Sequence, residues 1–401
     1  MTPTLERSTA AGQDRRFARA FAVLDKAIAA RAFPGAAVAV TFNGSLVALK
    51  GVGRFTYDPD SPAVTADTIY DLASVTKVVA TTTMAMLLYE RGTMKLDMPV
   101  VEVLPEFSGS ADPQRHRVTL RMLLAHTSGL PAYARLFEHA CGAQAVLNAA
   151  CALPLEAAPG ARAEYSDIGF LLLGVALERL AGGPLDQFCA REIFAPLAMT
   201  QTAFHRLTID LHPGKNCHPE RAAVGFGGES RDLAADCCPT PARGPQMWDA
   251  VPPTEHDPAW RRRIIQGEVQ DENTAAMGGV SGVAGLFAPA LDVARFAECM
   301  LAGGAPVLQA ETVALFTRRE NSPPRTSRAL GWDTPSQPSQ SGRYFSPPAF
   351  GHLGYAGTSL WIDPERRLSV TLLTNRTWPD RKNNAIKQVR PRFHDAIVEA
   401  L

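Results

Sequence analysis

Asp71-Leu72-Ala73-Ser74-Val75-Thr76-Lys77 leads directly into Val78–Tyr89, a run without a charged side chain. Such a run, closed by Gly92, predicts one helix over Val75–Glu90 that is buried on nearly all sides. Residues three apart share a helix face, so the Lys77 ammonium can reach the Ser74 hydroxyl. A serine at a helix N-terminus also has free backbone N–H groups and the positive end of the helix dipole beside it. That setting suits a nucleophile whose intermediates carry negative charge. Taken alone, Ser-x-x-Lys is common by chance and reads more readily as a capping serine with a lysine on a wet face. What sets Lys77 apart is its place at the mouth of an uncharged helix, where a lysine has little reason to be unless it is used.

Toward the N-terminus, Asp14–Arg31 puts Phe17, Phe21, Leu24 and Ile28 on one helical face. Pro34-Gly35 stops it, and Ala36–Phe42 with Ser45–Gly53 reads as a hairpin around Asn43-Gly44, a dipeptide suited to a tight primed turn. Toward the C-terminus, Val118–Ala125, Asp167–Leu180 and Leu185–Phe194 read as helices. Thr200–Gln266, with eight prolines and little periodicity, reads as a long connection packed on a helical region. Gly351–Tyr355, Thr358–Ile362 and Leu368–Thr374 read as strands, with Asp363-Pro364-Glu365-Arg366 turning between the last two, and Asp380–Leu401 as a closing helix interrupted near Pro391. Strands at both ends around a helical middle predict an α/β fold, with one antiparallel sheet flanked by helices, built from both chain ends, plus an inserted all-helical domain. The boundaries this suggests are 1–68 with 275–401 for the sheet domain and 69–274 for the helical one.

The 401 residues carry 40 basic and 40 acidic side chains, and this balance argues against nucleic acid or an anionic membrane as partner. The longest uncharged runs, Ala32–Leu49 and Asn273–Leu291, are broken by Asn43-Gly44 and by four glycines and Pro289, so neither reads as a membrane span. No apolar run follows the early arginines to suggest a signal peptide, and seven cysteines suit a reducing compartment without a disulfide framework. The expected location is the cytoplasm. His212, Cys217, His218, Cys237 and Cys238 match no zinc spacing, and no dinucleotide or phosphate loop occurs, so no metal or organic cofactor is expected.

Three further stretches have chemical interest beside ordinary explanations. Tyr165-Ser166-Asp167 precedes a helix and includes natural caps. Gly351-His352-Leu353-Gly354-Tyr355 is a strand whose glycines mark close backbone approach or a bulge. His126-Thr127-Ser128-Gly129-Leu130 reads mostly as a helix stop. Their order along the chain with Ser74-x-x-Lys77 resembles the serine β-lactamase and penicillin-binding-protein superfamily, nearest to class C β-lactamases, D-alanyl-D-alanine peptidases and related carboxylesterases. Leu96–Phe107, Gly267–Asn273 and Gly278–Phe287 look similar to that family as well.

The resemblance implies the β-lactamase/transpeptidase-like fold with its site between the sheet and the helices. It implies Ser74 as acylated nucleophile, Lys77 and Tyr165 handling its proton, and the N–H groups of Ser74 and Tyr355 as oxyanion hole. Asp167, His352, Gly354 and Tyr355 would meet the substrate. Asp167 stands where many β-lactamases have asparagine, and beside Lys77 it should keep that lysine cationic, moving the base role to a Tyr165 phenol acidified by Lys77. His352 and Leu353 stand where the family usually has lysine and threonine. With a reference pKa of about 6.5, His352 should be neutral at pH 8 and charged below its pKa, favouring neutral esters in alkaline solution. The expected function is hydrolysis of a small ester or amide through an acyl-enzyme. The alternatives are a β-lactamase, a D-alanyl-D-alanine carboxypeptidase, or a non-catalytic binding protein that keeps the fold.

Overall fold

The computed structural model describes residues 10–109, 112–211, 237–241, 248 and 250–401. Its strands are β1 (Gly35–Phe42), β2 (Ser45–Gly53), β3 (Ile69–Asp71), β4 (Ala203–Phe204), β5 (Leu207–Leu211), β6 (Cys237–Pro241), β7 (Glu255–Asp257), β8 (Arg263–Ile265), β9 (Leu286–Pro289), β10 (Phe350–Leu353), β11 (Ser359–Asp363) and β12 (Leu368–Thr374). The main sheet runs β10-β11-β12-β1-β2, with every neighbouring pair antiparallel. Both ends of the chain therefore meet in one sheet. Asn43 and Gly44 take φ +52° and +79°, the left-handed pair that a primed hairpin turn requires.

β1 is buried along nearly its whole length because it serves two cores. Successive side chains point to opposite faces, so Ala37 and Ala39 enter one core while Ala36, Val38 and Val40 enter the other. β11 divides in the same way, Leu360 and Ile362 against Trp361. A strand covered on both faces has no polar side to show, so it reads as an unbroken apolar run. The smaller core lies under the helices Ala18–Ala29 and Ile386–Val398 through Phe21, Leu24, Phe393 and Ile397. The larger core continues from the sheet through the helix Ala290–Leu301 into the helices around Val78–Leu88 and Phe170–Leu177.

Several elements differ from the sequence reading. The stretch Val75–Glu90 is not one helix: a 3₁₀ turn at Ala73–Val75 passes into a π-helical run at Lys77–Thr82 and an α-helix at Thr83–Glu90. Pro289, read as a breaker, is the N-cap of the unforeseen helix Ala290–Leu301, where its fixed φ is compatible with helix entry. Within the Thr200–Gln266 connection, β4 joins β3 and β9, β5 pairs with β6, and β7 pairs with β8. Strands of two to five residues are too short for periodicity to reveal.

His212, Cys217 and His218 lie outside the described residues, and Cys237 and Cys238 begin β6. Cys151, Cys189 and Cys299 are free and buried, but Cys141 is disulfide-bonded. That bond corrects the expectation of a chain without disulfides and removes one premise for a reducing compartment. Among the described residues, no single helix is long and apolar enough to cross a membrane.

Candidate active site

Ser74 sits in the Ala73–Val75 turn, which Asp71 holds in place. Asp71 accepts the Ala73 N–H at 2.8 Å and the Gln270 N–H at 2.8 Å on its two oxygens. Between them Ala73 takes φ +47°, a left-handed conformation that costs a residue with a Cβ roughly 1–2 kcal/mol. Burial pushes the Asp71 carboxyl up to about 6, against the pull of those two N–H groups and of Arg261.

Lys77, at the first position of the π-helical run, is fully buried. Its ammonium donates to Ser74 Oγ at 3.1 Å and to the Val283 carbonyl at 3.1 Å, and pairs with Asp167 at 2.7 Å. The ammonium thus has two hydrogen-bond acceptors and one carboxylate charge beside it. Burial alone would lower the Lys77 pKa, but Asp167 and then Tyr165 outweigh it, so the pKa rises and the side chain is cationic. The Val283 carbonyl belongs to the glycine-rich stretch Gly278–Gly285. A Cβ on Gly282 would fall 2.2 Å from the Phe170 carbonyl and 2.9 Å from the Gly174 Cα, so glycine there lets this backbone lie against the helix Asp167–Ala181. The sequence reading noticed this stretch but assigned it no role; its close-set glycines were the available signal.

Tyr165 donates its hydroxyl to Ser74 Oγ at 2.9 Å. Its backbone is fixed by the helix it precedes: Ser166 Oγ accepts the Gly169 N–H at 3.0 Å and donates to the Pro131 carbonyl at 2.6 Å. The Ser166 N–H donates to His126 Nδ1 at 3.1 Å, and the His126 ring lies 4.7 Å from Tyr165 and 4.9 Å from Phe170. Burial, with Arg328 and Lys77 nearby, holds His126 well below its ordinary pKa and keeps that nitrogen an acceptor. The helix-stop motif is therefore a support for Tyr165. The expectation of an acidified phenol is overturned: burial and then Asp167 push Tyr165 up to about 12, and the attraction of Lys77 does not compensate.

His352, in β10, donates Nδ1–H to the Leu353 carbonyl at 2.8 Å, and its buried Nε2 has no partner among the described residues. Burial, reinforced by Lys77 and Arg328, pushes its pKa down to about 3. The ring is neutral far below pH 6.5, which corrects the expected charging of His352 near that value. At Gly354 a Cβ would fall 1.9 Å from Thr358 Oγ1 and 2.6 Å from the Leu72 carbonyl, so only glycine fits. Ser74, Tyr165, Asp167, His352, Gly354 and Tyr355 line one cleft of about 530 Å³. Tyr133 and Arg328, to which the sequence reading gave no role, line it too. Arg328 stands 5.4 Å over the Tyr165 ring and 3.7 Å from Asp333.

The family model described as Beta-lactamase matches residues 20–390. A relative from Escherichia coli (strain K12), named "Putative D-alanyl-D-alanine carboxypeptidase", is 32% identical over 330 residues, covering 78% of this chain and 70% of its own length. Among solved structures, "EstCE1, a hydrolase with promiscuous acyltransferase activity" superposes with a TM-score of 0.68 at 23% identity over 96% of this chain and 99% of its own. "Simvastatin Synthase (LovD)" from Aspergillus terreus superposes with a TM-score of 0.67 at 22% identity over 95% of this chain and 98% of its own. These two likenesses concern the fold, whereas the sequence matches concern descent. By those matches the chain belongs to the Beta-lactamase family and is one of its serine hydrolases.

Proposed function

We propose that this enzyme hydrolyses small, uncharged esters through an acyl-enzyme on Ser74. The observation that carries the reading is the contact of one hydroxyl, Ser74 Oγ, with both Lys77 and Tyr165 at the floor of the cleft. Because Lys77 is cationic and paired with Asp167, it steadies charge rather than accepting a proton. In acylation the Tyr165 phenolate takes the Ser74 proton as Oγ bonds to the acyl carbon. The carbonyl oxygen gains the negative charge, and the N–H groups of Ser74 and Tyr355 receive it. Collapse of that intermediate breaks the bond to the leaving oxygen, which takes the proton back from Tyr165. Water then repeats the sequence on the acyl-enzyme and restores Ser74.

The preference for uncharged esters rests on the neutral His352 and the apolar Leu353, which replace a permanent cation and a hydroxyl. Tyr133 and Tyr355, 42% and 48% exposed, place apolar ring surface at the cleft for an acyl group. A second reading, D-alanyl-D-alanine carboxypeptidase, is favoured by the name of the Escherichia coli relative. The test compares kcat/KM at pH 8 for a nitrophenyl butyrate, a D-alanyl-D-alanine peptide and a penicillin. The ester is expected to lead by at least tenfold, and a faster peptide would establish the second reading instead.

A further inference from the structure

Arg390 is 5% exposed, lies on the closing helix Ile386–Val398, and has no carboxylate partner among the described residues. One of its terminal nitrogens donates to two main-chain carbonyls, Gly354 at 2.9 Å and Thr358 at 2.9 Å. A buried guanidinium that spends its charge on carbonyls is expensive to keep, and burial with the nearby Arg376 pulls its pKa down. What it holds is the turn after β10. The Gly354 N–H donates to the Thr358 carbonyl at 2.8 Å, the Gly357 N–H donates to the Gly354 carbonyl at 3.0 Å, and Thr358 Oγ1 donates to the Leu72 carbonyl at 2.8 Å, two residues before Ser74.

The Gly354 carbonyl and the Tyr355 N–H belong to one planar trans peptide, so they point in opposite directions. Fixing the carbonyl toward the closing helix therefore fixes the N–H away from it. Arg376 holds the other side of the same residue, its Nε donating to the Tyr355 carbonyl at 2.7 Å. We propose that Arg390 is a positioning residue for the reaction, orienting the Gly354–Tyr355 peptide so that the Tyr355 N–H is preorganised for the developing oxyanion. The inference rests on the acyl-enzyme reading of Ser74 and adds to it a residue of the closing helix that lines the same cleft.

The experiment uses the full chain, with Arg390→Met and Arg390→Lys, assayed on nitrophenyl butyrate and titrated with a butyl boronic acid as tetrahedral analogue. A lost oxyanion donor acts on the transition state and spares the bound ester. Arg390→Met should therefore lower kcat by about 10²–10³-fold with KM within threefold, and weaken the boronic acid in proportion. Arg390→Lys restores a cation without the fork and should fall between the two. A kcat and boronic-acid affinity within twofold of native in the folded variants overturns the proposal, as does a loss confined to KM. If Arg390→Met does not fold, Arg390→Lys decides alone, with at least a fivefold fall in kcat expected and an unchanged kcat overturning. Failure of the underlying reading shows separately, as native enzyme that forms no adduct on Ser74.

Discussion

Tyr165 raises the sharpest question about single residues, because its hydroxyl touches the nucleophile while its burial opposes ionisation. With a pKa of about 12, only about one phenol in 10⁴ is ionised at pH 8. The fraction of active base should grow about tenfold per pH unit until that pKa is approached. The logarithm of kcat/KM should accordingly rise with a slope near one from pH 7 to pH 9.5, and a plateau beginning near pH 7 would assign the base to another group. Tyr165→Phe should cost about 10²–10⁴-fold in kcat/KM, the usual worth of a positioned base. His352 makes the opposite case. Since it stays neutral down to about pH 3, the ratio of kcat/KM for a carboxylate-bearing ester to that for a neutral one should be free of a step near pH 6.5. His352→Lys should raise the ratio at pH 8. The sequence shows which residues these are, but not their protonation, because burial and the distances to Asp167, Lys77 and Arg328 decide it.

Each element that presents a site residue is held by a neighbour that is itself neither nucleophile nor proton carrier. The nucleophile turn depends on Asp71, whose two oxygens tie Ala73 and Gln270 together. Asp71→Ala should release Ala73 from its left-handed backbone, and ester turnover should drop at least tenfold even if the melting temperature falls by only a few degrees. The turn after β10 depends on Gly354, where Ala would collide with Thr358 and the Leu72 carbonyl. Gly354→Ala should lower kcat more than stability, which parallel steady-state assays and denaturant titrations would show. Ser166 had been legible as a cap, and it is one. The π-helical run at Lys77–Thr82 was not legible, since Val78–Tyr89 is apolar on all sides and an all-round pattern contains no phase from which to read the winding.

Across the whole molecule, buried ionisable groups set the response to pH. Asp271 caps the short helix Glu272–Ala276 through the Thr274 N–H at 2.7 Å, and burial with Asp167 and Glu272 nearby pushes it up to about 6. A carboxyl whose folded pKa is raised stabilises the fold fully below the unfolded pKa of 3.8 and loses that contribution as pH climbs through about 6. His352 and His394, whose pKa values burial lowers to about 3 and about 4, act in the other direction over the same range. The difference between Asp271→Asn, which keeps a capping oxygen, and the native chain isolates the carboxyl. That difference in unfolding free energy should move toward the variant between pH 4 and pH 7, by at most about 3 kcal/mol. A flat difference across that range would show that Asp271 titrates normally.

The sheet joining the two chain ends was legible because Asn43-Gly44, the continuous apolar strands and the Asp363–Arg366 turn are local signals. The elements between residues 200 and 266 were not, because strands of two to five residues are too short to show a pattern of their own. The residues of the cleft were legible through their order along the chain, whereas Val283 and Arg328 line it, and Asp71 supports it, through contacts that only the folded backbone creates.

The most direct measurement is the site and fate of the acyl group. Native enzyme mixed with nitrophenyl butyrate and quenched within milliseconds, then digested and mapped by mass spectrometry, should carry one butyryl group on Ser74, and Ser74→Ala should carry none and release no nitrophenol above background. A butyryl group on any other residue, or turnover by a folded Ser74→Ala at the native rate, would contradict the account.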